Sequence, residues 1–224
     1  MKLTPAQLPE HLKRDLKPLY WIHGDEPFTR DHLARTLWAH LKGQGFERTA
    51  YQVGVSFDWP TLLTHQQNQD LFSPATFIHI HWPAPQLQGE AKKVLTAYIE
   101  AAHPQCCLLL TTPKLTTAQT NSALLKTFNK DGIFIPIWPI NEAQFPGWIK
   151  QQAQQQQMTV APAAAHLLAT LHAGNCFSAA QALERLKLMH PEGKIIDEEA
   201  VKQDAAQGCP VSYTHLRAHE TRTY

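Results

Sequence analysis

Apolar positions recur along this chain in two periods, and the switches between them mark out its elements. Leu19, Tyr20, Trp21 and Ile22 form an apolar run that ends at His23 and the turn residues Gly24, Asp25, Glu26 and Pro27. Beyond the turn, Phe28, His32, Leu33, Thr36, Leu37 and Leu41 recur at helical spacing up to Gly43 and Gly45. The pattern predicts a strand, a turn and a helix. Residues 49–53 predict a second strand, and Asp58 is placed to cap a helix running from Trp59 through Leu62, Leu63 and Gln66 to Asp70. Residues 76–82 are strand-like, 90–102 helical through Val94, Leu95, Tyr98 and Ile99, and 106–112 an almost wholly apolar strand of the kind buried on both faces. A helix over about 120–129 and a strand over 133–138 complete the series. Strands and helices alternating in this way predict an α/β fold with a mostly parallel sheet covered on both faces.

After Pro139 and Ile140 the β pattern stops, and helices are predicted over 142–158, 163–173 and 177–189. A domain boundary near residue 140 follows. The glutamine run 151–157 reads as a solvated helix face, because glutamine is a good helix former and the run is short. Gly174 and Asn175 supply a helix stop and then a cap, predicting an antiparallel pair in which Leu167, Leu168 and Leu171 face Ala180, Leu183 and Leu186. Residues 209–224 carry no amphipathic period and read as a foreign tail joined to the chain, so the fold is expected in 1–140 and 141–205, with 206–224 unrelated.

A chain of 224 residues that is 43% hydrophobic is long and apolar enough to bury a substantial core. Its formal charge is +1, from 20 Lys and Arg against 19 Asp and Glu, so no strong field for nucleic acid or an anionic membrane is built into the average. Lys92, Lys93, Lys114, Lys126 and Lys130 are spaced as solvated helix and loop positions rather than as a binding stripe. The first ten residues hold no apolar run of signal-peptide length and no 18 apolar residues stand together, which predicts a soluble cytoplasmic protein without a membrane segment. Four cysteines, among them the adjacent Cys106 and Cys107 in an apolar run, make no disulfide framework and read as small core residues.

One pair stands out at a predicted helix end. Leu71 and Phe72 are adjacent, and neighbours on a helix point about 100° apart, so both cannot follow one buried stripe. Either Leu71 closes the helix core and Phe72 caps the sheet, or the two face outward as a compact apolar knob of the kind that makes an interface hot spot.

Leu71 and Phe72, followed by Ser73 and a short apolar strand, resemble the Leu-Phe motif with which the delta subunits of bacterial DNA polymerase III, the sliding-clamp loader, grip the clamp. Residues 19–27 resemble that family's first strand and turn. Gly174-Asn175 with Ala180-Gln181-Ala182-Leu183-Glu184-Arg185-Leu186 resembles its second-domain helix pair. The resemblance covers roughly residues 1–205. It implies an AAA+-like sheet domain followed by a small three-helix lid, with the family's third, collar domain missing, which puts assembly with the other loader subunits in doubt. It implies the beta sliding clamp as partner through Leu71 and Phe72, DNA only through the complex, and sibling subunits that supply ATP hydrolysis. The chain would then be a component of the DNA-directed DNA polymerase holoenzyme, a nucleotidyltransferase, without a catalytic residue or cofactor of its own.

The residues in the nucleotide position agree with that implication. A phosphate-binding loop needs glycines for free backbone amides and a lysine with Ser or Thr. Here Gly24, Asp25, Glu26, Pro27, Phe28, Thr29, Arg30 and Asp31 offer three carboxylates, a proline without N–H and no lysine. Residues 79–85 hold no Asp or Glu to carry magnesium, and the corner Gly174-Asn175-Cys176-Phe177 lacks the arginine that reaches phosphate in nucleotide-responsive relatives. This reads as a degenerate loop that does not bind nucleotide. His79 and His81, two apart on one strand face, are the best metal candidates, yet Cys106 and Cys107 point to opposite faces, no Cys-x-x-Cys exists, and no metal site is expected. The rival reading is a small P-loop-like NTPase or nucleotide-dependent transferase on the same α/β layout.

Overall fold

The computed structural model describes residues 1–54, 56–67, 74–190, 193 and 195–207. They fall into two compact units, Met1–Pro139 and one that begins at Ile140. In the first, a 3-10 turn leads into α1 (Leu8–Arg14), then β1 (Leu19–Gly24), α2 (Pro27–Lys42), β2 (Glu47–Gln52), α3 (Thr61–Gln67), β3 (Thr76–His81), α4 (Gly89–Glu100), β4 (Cys106–Thr112), α5 (Thr117–Thr120), α6 (Ala123–Asp131) and β5 (Ile133–Ile137). The strands form one sheet in the order β2-β3-β4-β1-β5, every pair parallel.

The two-residue period of β1 builds both cores. Leu19 and Trp21 face one layer, with Ile78, Ile80, Leu108, Leu110 and Phe134 beside them and Leu62, Val94, Leu95, Tyr98, Leu124 and Phe128 of α3, α4 and α6 above. Tyr20 and Ile22 face the other, with Phe77, Leu109 and Ile135 against Leu8 and Leu12 of α1 and Leu33, Leu37 and Leu41 of α2. β1 and β4 are buried along their whole length, which is why they read as unbroken apolar runs. Cys106 and Cys107 lie inside these layers as free, buried thiols.

Three boundaries depart from the hydrophobic pattern. α1 is not announced by it, since only Leu8 and Leu12 of its seven residues are buried. The helix expected over 120–129 is two helices: Thr116 and Gln119 form a capping box that starts α5, and Ser122 accepts from Leu125 N to start α6. α3 begins at Thr61 rather than Trp59, with the Thr61 hydroxyl donating to Asp58 Oδ2 at 2.6 Å.

The second unit holds α7 (Phe145–Gln155), β6 (Thr159–Val160), α8 (Pro162–His172), α9 (Cys176–Met189), β7 (Ile195–Ile196) and α10 (Glu198–Gln207). The expectation of three helices and no further strand is corrected. α10 is a fourth helix, and β6 and β7 pair in parallel as a two-stranded ribbon. α10 was hidden because its inward face carries small or polar residues: Ala200 and Val201 are buried, and Asp204, also buried, takes Arg185 of α9 in a two-pronged ion pair at 3.0 and 2.9 Å. The α8–α9 corner has the expected chemistry, with Asn175 Oδ1 accepting from Ser178 N at 3.0 Å. Leu168, Ala180, Leu183 and Leu186 are buried as read, whereas Leu171 is 49% exposed one turn too late to reach the seam. In the glutamine run Gln152 is buried and Gln151, Gln154, Gln155 and Gln157 are exposed. Of the tail expected from residue 206, Ala206 and Gln207 belong to α10 and the rest lies outside the described residues. Among the described residues no helix is long and apolar enough to cross a membrane.

Candidate functional site

The corner between β1 and α2 occupies the place of a phosphate-binding loop, and its own side chains fill it. Gly24 ends β1 at φ +148°, paired with Ile137 of β5, where an added Cβ would stand 2.2 Å from the Ile137 carbonyl oxygen. No other residue fits that backbone approach. Asp25 Oδ1 accepts from Lys114 N at 2.9 Å, tying the corner to the loop after β4. Glu26 is the N-cap of α2: Oε1 accepts from Phe28 N at 3.0 Å and Oε2 from Thr29 N. Pro27 brings no N–H, and Arg30 N bonds to Glu26 O at 3.2 Å. The amides that would cradle a phosphate are therefore taken by a carboxylate of the chain, which also meets the positive end of the helix dipole. Arg30 of α2 turns Nη1 back to Gly24 O at 3.0 Å.

Behind this corner sits His23, where the apolar run of β1 ends and no periodic signal marks a site residue. It is buried, stacked on Phe134 at 4.5 Å between ring centres, with Nδ1 accepting from Leu115 N at 3.5 Å. Burial pushes its pKa down to about 4, against a smaller opposing pull from Asp25. It is a neutral wall of the corner at pH 7.

At the C-terminal end of β3, where a nucleotide site would carry magnesium-binding carboxylates, the chain has two imidazoles. His79 Nε2 and His81 Nδ1 both meet Thr111 Oγ1 of β4, at 3.0 and 3.4 Å, so the two rings share a face as their spacing implies. Arg48 of β2 reaches His79 Nδ1 at 3.3 Å. Burial, reinforced by the Arg48 charge, holds His79 down to about 4, and burial likewise lowers His81. Among the described residues no three His, Cys, Asp or Glu side chains come together as metal ligands. In the second unit the corner equivalent to a phosphate-sensing position presents buried Cys176 and exposed Phe177, while Arg185 further along α9 is engaged by Asp204.

Leu71 and Phe72 lie outside the described residues; their two flanks do not. On the near side is α3, whose Leu62 is fully buried and whose last turn is bonded to β2, α4 and β4. On the far side Thr76 opens β3 between Glu47 and Cys106. At the opposite, C-terminal edge of β2 and β3 the loops enclose a cleft of about 720 Å³ floored by Phe57, Trp59 and Trp82, with the two tryptophan rings 4.7 Å apart. Scattered aromatics in two loops gave no periodic signal of it.

The family model of the DNA polymerase III delta subunit matches residues 20–137 of this sequence. The chain belongs to that family. Among curated proteins, DNA polymerase III subunit delta of Escherichia coli K12 is 27% identical over 214 residues, covering 94% of this chain and 62% of that protein. The Haemophilus influenzae subunit is 25% identical over 198 residues, covering 87% and 57%. The chain thus spans about three fifths of the length of these relatives. Among solved structures, the Bacillus subtilis DNA clamp loader delta protein superposes with a TM-score of 0.68 at 17% identity, over 89% of this chain and 61% of that one. The Thermotoga maritima RuvB Holliday junction branch migration motor gives 0.51 at 13% identity, over 90% and 66%. These two likenesses are of fold: the parallel sheet flanked by helices is shared with the clamp loader delta protein.

Proposed function

We propose that this chain is the clamp-handling part of a clamp-loader delta subunit: it binds the beta sliding clamp and opens the ring for loading on primed DNA during replication. The observation that carries the reading is membership of the delta family over residues 20–137, a stretch that runs from the second residue of β1 to the end of β5 and takes in both flanks of Leu71 and Phe72. Leu71 and Phe72 are the clamp contact. Moving two such side chains from water into a partner's pocket is worth roughly 1.5 to 3 kcal/mol each, the size of an interface hot spot.

The chain drives nothing by hydrolysis itself. With Glu26 on the α2 amides, Pro27 lacking an N–H and His79 and His81 in place of carboxylates, a triphosphate meets neither free donors nor a metal-binding pair. Gly24, Asp25, Glu26 and Pro27 hold the corner shut, and sibling subunits supply the nucleotide cycle. The subunit works in the cytoplasm, and reaches DNA through the complex.

A clamp labelled with a self-quenching dye pair across one subunit interface tests this. Adding the chain without nucleotide should raise the fluorescence as the interface opens. An unchanged signal at saturating, demonstrably bound chain would remove the opening role; no binding at all would remove the whole reading.

A further inference from the structure

The two edges of the five-stranded sheet end differently. Beyond β5, residues 1–3 continue the pairing: Leu3 N donates to Phe134 O at 3.1 Å, Phe134 N donates to Met1 O at 2.9 Å, and Lys2 is bridged to Phe134. β2, at the other end, pairs with β3 and with no further strand among the described residues. Glu47 N and Val53 N both donate towards β3, to Ala75 O at 2.7 Å and His81 O at 2.9 Å. Alternate residues of a strand bond the same neighbour, so Thr49 and Tyr51 also face β3. Arg48, Ala50 and Gln52 therefore turn their N–H and C=O groups outward, and all three are exposed.

Sheet edges are usually blunted by proline, lysine, a bulge or a charge held over the open groups. β2 has none of these along its middle. It contains no Pro or Lys, and its six residues match Thr76–His81 one for one without a bulge. The charge of Arg48 is drawn off the edge, with its guanidinium 5.9 Å from the centre of the Trp38 ring and Nη2 3.3 Å from His79 Nδ1. The Tyr51 hydroxyl is likewise turned inward, to His65 Nε2 at 2.7 Å.

We propose that this edge binds a second copy of the chain, the two β2 strands pairing antiparallel about a two-fold axis at Ala50. The outward groups force the register, because each bonded pair of an antiparallel ladder exchanges two hydrogen bonds between outward-facing residues. With the axis at Ala50, Arg48 bonds Gln52 of the second copy, Ala50 bonds its own equivalent and Gln52 bonds Arg48. All three outward residues are used, and a shift in either direction loses one pair within β2. The side chains suit the same register. Thr49 stands opposite Tyr51 of the second copy, a favourable β-branched and aromatic pair, and the smallest side chain lies on the axis. Glu47 and Arg48 of one copy meet the uncharged end of the other strand, so no like charges oppose. Since residues 1–3 occupy the β5 edge, the contact closes at two copies and does not propagate into a fibre. The inference is independent of the clamp reading.

Sedimentation velocity on the full chain tests it. An edge contact alone is smaller than a standard interface, so association is weak and is followed over about 10 to 500 µM. The mass should rise with concentration from 25.3 kDa towards twice that value and stop there. Ala50→Lys keeps the backbone N–H but opposes two like charges at the axis, and should weaken association at least about tenfold. Ala50→Pro removes an outward N–H, which an edge strand tolerates, and should do the same. Both variants should melt close to wild type at concentrations where all are monomeric, and if Ala50→Pro does not fold, Ala50→Lys decides alone. A wild-type chain that stays monomeric throughout overturns the inference. So does a dimer that Ala50→Lys leaves as tight as wild type, which places the contact on another face, and so does growth beyond two copies.

Discussion

Glu26 Oε1 accepts the backbone N–H of Phe28 at 3.0 Å, and through this bond and its partner to Thr29 the chain neutralises the one helix end where a relative with a working phosphate loop would receive an anion. The corner is closed by a covalently attached carboxylate, which no diffusing phosphate displaces without leaving a charge behind.

Glu26→Ala should therefore destabilise the first unit by about 0.5 to 2 kcal/mol, the usual worth of an N-cap, as read from urea melts. It should not create a nucleotide site, because Pro27 still lacks its N–H and residues 24–31 hold no lysine. Calorimetric titration with ATP and magnesium should give no heat of binding for wild type or variant. Micromolar binding by either would revive the NTPase reading.

Gly24 has no tolerated substitute. A Cβ there would stand 2.2 Å from a backbone oxygen of β5 that is fixed in the sheet, at a φ of +148° that side chains rarely adopt. Gly24→Ala should cost about 2 to 4 kcal/mol, from strain and overpacking together, and show as an early melt. A melting temperature within 1 to 2 °C of wild type, on the scale expected of a fraction of a kcal/mol, would mean that β1 and β5 can part at this end.

Buried neutral histidines make stability fall in acid. His23 and His79 have folded-state pKa values near 4, below the ordinary histidine value of 6.5. The unfolded chain takes up protons between those limits and the folded chain does not, so their contribution is complete above about pH 6.5 and is lost as pH falls towards 4. Melting temperature should drop across this window, and His79→Gln should flatten the slope while keeping a polar group against Thr111. An identical slope in His79→Gln and wild type would show that His79 titrates freely.

The sheet was legible because its signal is redundant: β1 alternates Leu19 and Trp21 with Tyr20 and Ile22, and its two cores use the two sets separately. The corner was legible as chemistry, since Asp25, Glu26 and Pro27 are wrong for phosphate in any conformation. That Glu26 itself caps α2 was not, because a carboxylate before a helix reads alike whether it bonds or points to solvent. α1 and α10 escaped notice for want of apolar residues, and His23 because a histidine closing an apolar run has no periodic signature. The Tyr51–His65 bond joins residues 14 apart through a packed loop, a pairing that neither strand nor helix period encodes.

The central claim rests on two side chains and is tested most directly by removing them. Clamp affinity and melting temperature are measured together for wild type and Leu71→Ala/Phe72→Ala. If Leu71 and Phe72 are the clamp contact, truncating both should weaken binding about a hundredfold or more, at about 1.4 kcal/mol per factor of ten, while the melting temperature stays close to wild type. If the pair belongs to the core instead, each truncation removes about 2 to 5 kcal/mol of folding stability and the variant melts early. Retained binding, or a collapsed melt, would contradict the account.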